Sequence, residues 1–242
     1  MRKAILALAV GLALAAPAAA QTADEIIAKH IEALGGLEKI KNVKTVRMTG
    51  KMAVGPGIEA PLVMELKRPN SMRMDFTLQG MTGTQAFDGK VGWTLMPFQG
   101  STVPQQMAED DLKMAQEQAD MDGVLVDYKT KGHTVELLGK EKVEGADAYK
   151  LKVTMKNGVI RTIYLDAEHY LQIKDESKRT IRGTEVETET IMGDYKEVDG
   201  MMFPHSIDGG QKGNPQRQKI TVEKIELNVP IDDARFKMPA GK

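Results

Sequence analysis

The sequence predicts a mainly β fold built from antiparallel strands. Apolar and polar residues alternate over most of the chain, which is the pattern of strands with one buried and one solvated face. Glycine, proline and asparagine separate these runs at turn positions. Two stretches have helical spacing instead, one before the strands and one among them. Together these patterns predict about eleven strands in a curved sheet or incomplete antiparallel β-barrel.

Residues 1–20 have the features of a signal peptide. Arg2 and Lys3 provide its positive start, and the apolar run at residues 4–16 is too short to span a bilayer. Residues 18–20 are all alanine, a small residue of the kind that precedes a cleavage site. We expect cleavage after Ala20, a single domain over residues 21–242 and a location outside the cytoplasm. An uncleaved N-terminal anchor is the alternative interpretation.

The composition narrows the classes of function. The chain has no cysteine, which excludes disulfides, thiolate metal sites and cysteine nucleophiles. Without Arg2 and Lys3 it has 31 basic and 34 acidic residues, a balance that does not favour a nucleic-acid partner. Methionine is abundant, with 16 residues, while aromatic residues make up 5%. Methionine suits an adaptable apolar pocket, although ordinary core filling is the simpler interpretation of composition alone.

The first helix is predicted to begin at Thr22. Thr22 and Glu25 have the spacing of a capping box, in which each side chain accepts a hydrogen bond from the other residue's backbone. Apolar positions then recur at helical spacing up to Leu34. Gly35 and Gly36 end the helix, because glycine accepts left-handed backbone geometry.

From Val43 the apolar period changes to two. The expected inward positions of the first strands are Val46, Met48, Met52, Val54, Leu62, Met64, Leu66, Met72, Met74, Phe76 and Leu78. Further strands are predicted near 83–88 and 91–96. Pro104 then opens a weakly amphipathic helix to about Asp120, with Met107 and Met114 on its apolar stripe.

Strands resume near His133 and continue almost to the end of the chain. Tyr149, Leu151, Val153 and Met155 alternate with polar residues, and Asn157-Gly158 predicts a two-residue hairpin turn. Further runs lie at 159–166, 170–177, 184–195, 201–208 and 217–227. Strands and helices do not alternate, so a doubly wound parallel sheet is not expected.

A search for chemical motifs gives no catalytic residue, no metal ligand and no cofactor site. The four histidines lack the spacing of metal ligands, and neither a G-x-S-x-G elbow nor a P-loop occurs. Residues 55–60 match G-x-G-x-x-A, but Pro61 and another strand follow where a helix is required. We therefore expect a protein that is not an enzyme.

Several short motifs, in this order, resemble the LolA family of outer-membrane lipoprotein carriers. Lys67-Arg68-Pro69-Asn70 precedes the alternating strand with Met72, Met74 and Phe76. Asp88-Gly89-Lys90, Trp93 and Pro97-Phe98 are similar to the next landmark of the family, and residues 232–239 to its closing segment. Tyr164-Leu165-Asp166 and Phe203-Pro204 resemble the broader LolA-like group.

This resemblance implies an incomplete barrel closed by helices, around an apolar cavity that takes acyl chains. Arg68 matches the arginine that latches the lid helix in the empty carrier. The lid would be the helix at 104–120, with Met107 and Met114. The cavity-lining residues would be Met48, Met52, Met64, Leu66, Met72, Met74, Phe76 and Trp93.

The resemblance also implies partners and a place of action. The cargo would be an acylated lipoprotein or lipid, bound by a monomer in the periplasm. Exchange with an inner-membrane release transporter and an outer-membrane receptor is left open. The alternative is an envelope protein-binding or sensor module on the same barrel.

Overall fold

The computed structural model describes residues 21–55, 57–181 and 183–240. The predicted signal peptide and its cleavage site after Ala20 lie outside these residues. No helix among the described residues has both the length and the apolarity needed to cross a bilayer.

Two helices precede the sheet. Helix α1 (Ala23–Ala33) begins with the predicted capping box, in which the Thr22 hydroxyl accepts from the Glu25 amide at 3.2 Å and the Glu25 carboxylate from the Thr22 amide at 2.8 Å. Gly35 and Gly36 have positive φ angles, so the chain turns there at little steric cost. A short helix α2 (Leu37–Asn42) follows.

One antiparallel sheet contains thirteen strands within the described residues, where the patterns predicted about eleven. The strands are β1 (Thr45–Gly55), β2 (Ile58–Lys67), β3 (Ser71–Leu78), β4 (Met81–Phe87), β5 (Gly92–Leu95), β6 (Gln105–Gln106), β7 (Thr134–Val143), β8 (Ala146–Thr154), β9 (Ile160–Asp166), β10 (Gln172–Ile181), β11 (Thr184–Val198), β12 (Met201–Gln211) and β13 (Gln218–Leu227). Their order is β6-β5-β4-β3-β2-β1-β13-β12-β11-β10-β9-β8-β7. The sheet is therefore not closed, and β6 and β7 are its two edges.

A third helix, α3 (Glu109–Gln118), connects the two halves of the sheet. It is shorter than the predicted lid helix, because residues 105–106 pair with β5 as the edge strand β6 instead of entering the helix. Backbone pairing with an open edge satisfies groups that the first helical turn leaves without partners.

All three helices pack on one face of the sheet, which we call the inner face. Ile26 and Ile27 of α1 pack against Leu151 and Ile163 of β8 and β9. Ile40 of α2 packs on the centre of the sheet, in a cluster with Val46, Val222 and Ile225. Ala115 and Ala119, in and just after α3, contact Met72 and Phe87 of β3 and β4. The apolar inward positions of the strands thus form the core.

The C-terminal segment, residues 228–240, crosses the opposite, outer face near β1 to β5. The Thr45 hydroxyl and the Lys67 ammonium donate to the carbonyls of Val229 and Ile231, each at 2.6 Å. Ile231 and Phe236 are buried there. The closing motif of the sequence therefore covers the outer face and not the inner one.

Candidate ligand-binding site

Seven of the eight predicted cavity-lining residues share the inner face of β1, β2 and β3. Met48 lies opposite Met64, and Met64 lies opposite Met74, so three methionines form a row across the strands. Because alternate residues of a strand lie on one face, the same face carries the rest of the set. We call it the methionine face, and it consists of Met48, Met52, Met64, Leu66, Met72, Met74 and Phe76.

The methionine face is covered at two ends and only half-buried between them. At one end α3 packs over Met72, which is fully buried. At the other end the ring of Phe98 packs on Phe76, with 5.3 Å between ring centroids. Met64 and Met74 between these ends remain half-buried. The face therefore offers apolar surface that the protein's own side chains do not fully cover.

The two predicted lid methionines occupy different places. Met107 precedes α3 and donates its amide to the carbonyl of Gly92 at 2.9 Å, while its side chain packs in the Met72 cluster. A Cβ atom at position 92 would lie 2.6 Å from the Met107 sulfur, so an alanine there would displace the Met107 side chain. Met114 lies within α3 and is half-buried. Met107 is thus not a residue of the lid helix, because the chain at 105–106 is drawn into β6.

Trp93, the eighth predicted lining residue, does not lie on the inner face. It lies opposite Ala86, which in turn lies opposite Arg73, so it belongs to the outer face. Its indole N–H donates to the Phe236 carbonyl at 2.9 Å, and it is almost fully buried under the C-terminal segment. The prediction that Trp93 lines the cavity is wrong, because the period of two places it on the opposite face from Gly92.

An apolar cavity of about 350 Å³ lies on the inner face between α1, α2, the segment at residues 120–125 and strands β10 to β12. We call residues 120–125 the roof segment. Four methionines line the cavity together with Leu34, Ile40 and Phe203; they are Met121, Met192, Met201 and Met202. None of the predicted lining residues is among them. Met121 nevertheless packs against the same cluster as Met48 and Leu66, which joins the cavity to the methionine face.

Arg68 holds the roof segment to α2. Its Nε donates to the Val43 carbonyl at 2.6 Å, and its Nη2 donates to the Ile40 carbonyl at 2.8 Å and to Asp122 Oδ1 at 2.5 Å. Lys41 Nζ lies 2.5 Å from Asp122 Oδ2. We call Arg68, Lys41 and Asp122 the clasp. The arginine thus bonds to the end of α2 and to the segment that follows α3, and a latching role stays a prediction.

The electrostatics of the clasp favour the charged form of Asp122. Burial by itself would raise the pKa of this carboxyl, but hydrogen bonds from Arg68 and Lys41 outweigh burial and lower the pKa below its usual value of 3.8. The clasp is therefore ionised and intact at neutral pH.

A second ionic contact ties α3 to the far half of the sheet. Glu117 accepts from Arg179 of β10 at 2.9 Å and from Asn157 of the β8–β9 turn at 3.0 Å. Both Glu117 and Arg179 are mostly buried. With its alanine face on β3 and β4 and Glu117 on β10, α3 bridges the inner face as a lid would.

Polar groups form one corner of the cavity. The buried His30 places Nδ1 2.7 Å from the Tyr170 carbonyl oxygen, and burial lowers its pKa, so the imidazole is neutral at pH 7. The Tyr195 hydroxyl donates to the Gln172 carbonyl at 2.7 Å. Gln172 Nε2 donates to Asp175, which is also paired with Arg161. No described residues form a group of three or more His, Asp or Glu side chains placed to hold a metal ion.

Sequence reasoning missed the cavity because its walls come from distant parts of the chain. Met192 and Met201 lie on β11 and β12, whereas Met121 belongs to a segment without regular structure. Two signals pointed there: the overall excess of methionine, and the pair Met201-Met202 directly before Phe203-Pro204. Neither signal specifies which methionines meet in space.

Comparison with solved structures decides the fold. A LolA superfamily protein from Nitrosomonas europaea superimposes with a TM-score of 0.60 and 15% identity, over 90% of this chain and 98% of that chain. A domain described as an outer membrane lipoprotein-sorting protein, from Vibrio parahaemolyticus, gives 0.58 and 12% over 88% and 94%. The chain has a LolA-like fold. A DUF1329 family protein from Desulfovibrio piger is similar to the same extent, with 0.58 and 12% over 90% and 98%.

The likeness lies in the backbone and not in the sequence. No protein-family model matches the chain, and no curated protein matches it in sequence. Structural similarity at such low sequence identity establishes the LolA-like fold alone, so the ligand has to be inferred from the site itself.

Proposed function

We propose that this LolA-like protein is a periplasmic carrier that binds the acyl chains of lipoproteins or lipids and takes part in lipoprotein sorting to the outer membrane. The observation that carries the proposal is the methionine-lined cavity of about 350 Å³ under the clasped roof segment. Its size falls within the range of roughly 300–1,000 Å³ that is typical of small-molecule sites. The proposed function involves no catalytic step.

Physical chemistry supports binding of acyl chains in this place. Transfer of an acyl chain out of water stabilises the complex by about 0.8 kcal/mol per CH₂ group. Methionine side chains are flexible and polarisable, so they adapt to chains of differing length and position. The adjoining methionine face extends the apolar surface beyond the cavity for chains that it cannot hold.

The carrier function requires a route for loading and release. The roof segment carries Met121 into the cavity wall, and the clasp holds its middle residue, Asp122, to α2. Release of these polar contacts frees the part of the roof segment around Asp122, while Leu125 at its end stays packed in the core with α1. Loading from an inner-membrane release transporter and delivery to an outer-membrane receptor would act on this clasp.

The test is native mass spectrometry of the chain from residue 21 onward, purified from a periplasm without detergent. We expect co-purified lipid or acylated peptide that is lost in Met192→Glu, which places a charge in the cavity wall. Leu138→Glu is the matched control, because Leu138 is exposed on β7. A clean protein that also takes up no added lipid contradicts the carrier function and favours a protein-binding envelope module.

A further inference from the structure

The wall of the methionine-lined cavity has an uneven distribution of charge. Among the described residues that line it are two carboxylates, Asp120 and Asp122, and neither a lysine nor an arginine. The other polar lining groups are His30, Gln172 and Tyr195. Burial lowers the pKa of His30 and raises that of Tyr195, so both are uncharged at neutral pH.

The cations that stand behind this wall are already paired. Arg68 and Lys41 bond to Asp122, and Lys131 pairs with Asp120 and also donates to the Gly123 carbonyl at 2.6 Å. Deeper in the polar corner, Arg161 pairs with the buried Asp175. None of these cations lines the cavity, so an anionic group inside it meets no cationic side chain in the wall.

We propose that the cavity selects acyl chains whose polar end is uncharged, such as esters, amides or alcohols, and rejects free carboxylates and phosphate monoesters. This inference rests on the proposed carrier function and names its ligand class. An uncharged ester or amide carbonyl can accept from the side-chain amide of Gln172, whereas a carboxylate beside Asp120 and Asp122 is buried without a free cation. Burial of an unpaired charge is strongly unfavourable, while a hydrogen-bonded neutral group is tolerated.

The experiment compares amphiphiles that share one chain and differ in the polar end. Binding of tetradecanol, methyl tetradecanoate and tetradecanoate to the chain from residue 21 onward is measured by isothermal titration calorimetry at pH 7.5, below micelle formation. We expect the alcohol and the ester to bind at least about tenfold more tightly than the carboxylate. Equal affinities overturn the inference and leave the carrier function standing. Absence of binding by all three overturns both.

Two variants test whether the wall aspartates are the cause. Asp120→Asn and Asp122→Asn each remove a negative charge and free Lys131 or Arg68, so binding of tetradecanoate should strengthen and the preference should shrink about tenfold. Asp147→Asn is the matched control, because its carboxylate pairs with Lys142 at an exposed site on β8. An unchanged preference in both wall variants refutes the electrostatic explanation, and Asp120→Asn leaves the clasp intact if Asp122→Asn fails to fold.

Uncharged acyl groups occur both in free glycerides and on the acylated N-terminus of lipoproteins. A diacylglycerol and a synthetic lipopeptide with an uncharged peptide distinguish these two sources in the same assay. Binding of either one more tightly than tetradecanoate supports the selectivity, and the tighter of the two identifies the source. If both bind more weakly than tetradecanoate, the proposed selectivity is wrong.

Discussion

The clasp gives the sharpest quantitative prediction, through the substitution Arg68→Leu. Arg68 makes three hydrogen bonds: to the Ile40 carbonyl of α2, to the Val43 carbonyl just after α2, and to Asp122, whose side chain is only 8% exposed. Only the bond to Asp122 joins the roof, so with a discount for the 23% exposure of Arg68 itself its loss should destabilise the closed roof by about 1.5 kcal/mol. Local opening of residues 120–123 should then become about tenfold more frequent.

Hydrogen exchange of the Asp122 and Gly123 amides measures this opening directly. The Asp122 amide donates to Asp120 Oδ1 at 3.2 Å and the Gly123 amide to the Asp120 carbonyl at 3.1 Å, so exchange at both amides requires these bonds within the roof to break. Arg217→Leu is the matched control. Arg217 is 25% exposed and also makes three hydrogen bonds, two to Asp208 and one to Glu189, away from the roof. If both variants leave exchange at Asp122 and Gly123 equally slow, Arg68 does not hold the roof.

Three further predictions concern the lid, pH and the sole tryptophan. Gly92→Ala should displace Met107 and lower the free energy of unfolding by about 1–3 kcal/mol in urea titrations, whereas Gly193→Ala, whose Cβ meets open space, should not. Because burial lowers the pKa of His30, the unfolded chain binds more protons than the folded one as the pH falls below 6.5, and the free energy of unfolding should decline there. In unfolding titrations at pH 7.5 and 5.5, His30→Gln should weaken this decline. An identical decline in the variant would show that His30 is not its cause. Because Trp93 lies under the C-terminal segment, Phe236→Ala should shift its fluorescence to the red, and cargo loading should leave the fluorescence unchanged. The opposite pattern would indicate that Trp93 lines the cavity.

The fold was predictable where local patterns agree with the tertiary structure. The period of two in Met48, Met64 and Met74 places these residues on one face, and the capping box at Thr22 begins α1 as expected. Asn157-Gly158 does form a turn, although the Met155 amide bonds to the Val159 carbonyl and the loop is longer than two residues. Thus the local signal gave the place of the turn and not its length.

The site was less predictable, because it depends on contacts between distant segments. Arg68 was singled out through family resemblance, yet its partners lie 25 to 54 residues away and only the fold brings them together. The prediction for Trp93 failed because the polarity of tryptophan fits either face of the sheet. The C-terminal segment that buries Trp93 is 143 residues downstream. The helix prediction failed at residues 105–106 because backbone pairing with β5 outweighs the favourable helix propensity of glutamine.

Photo-crosslinking is the most direct test of the central claim that acyl chains occupy the methionine-lined cavity. A tetradecanol analogue with a diazirine on its chain is loaded on the detergent-free protein, irradiated and mapped by peptide mass spectrometry. We expect crosslinks to Met121, Met192, Met201 or Met202, which decline in Met192→Glu and persist in Leu138→Glu. Crosslinks confined to the outer face, or an equal pattern in both variants, would contradict it.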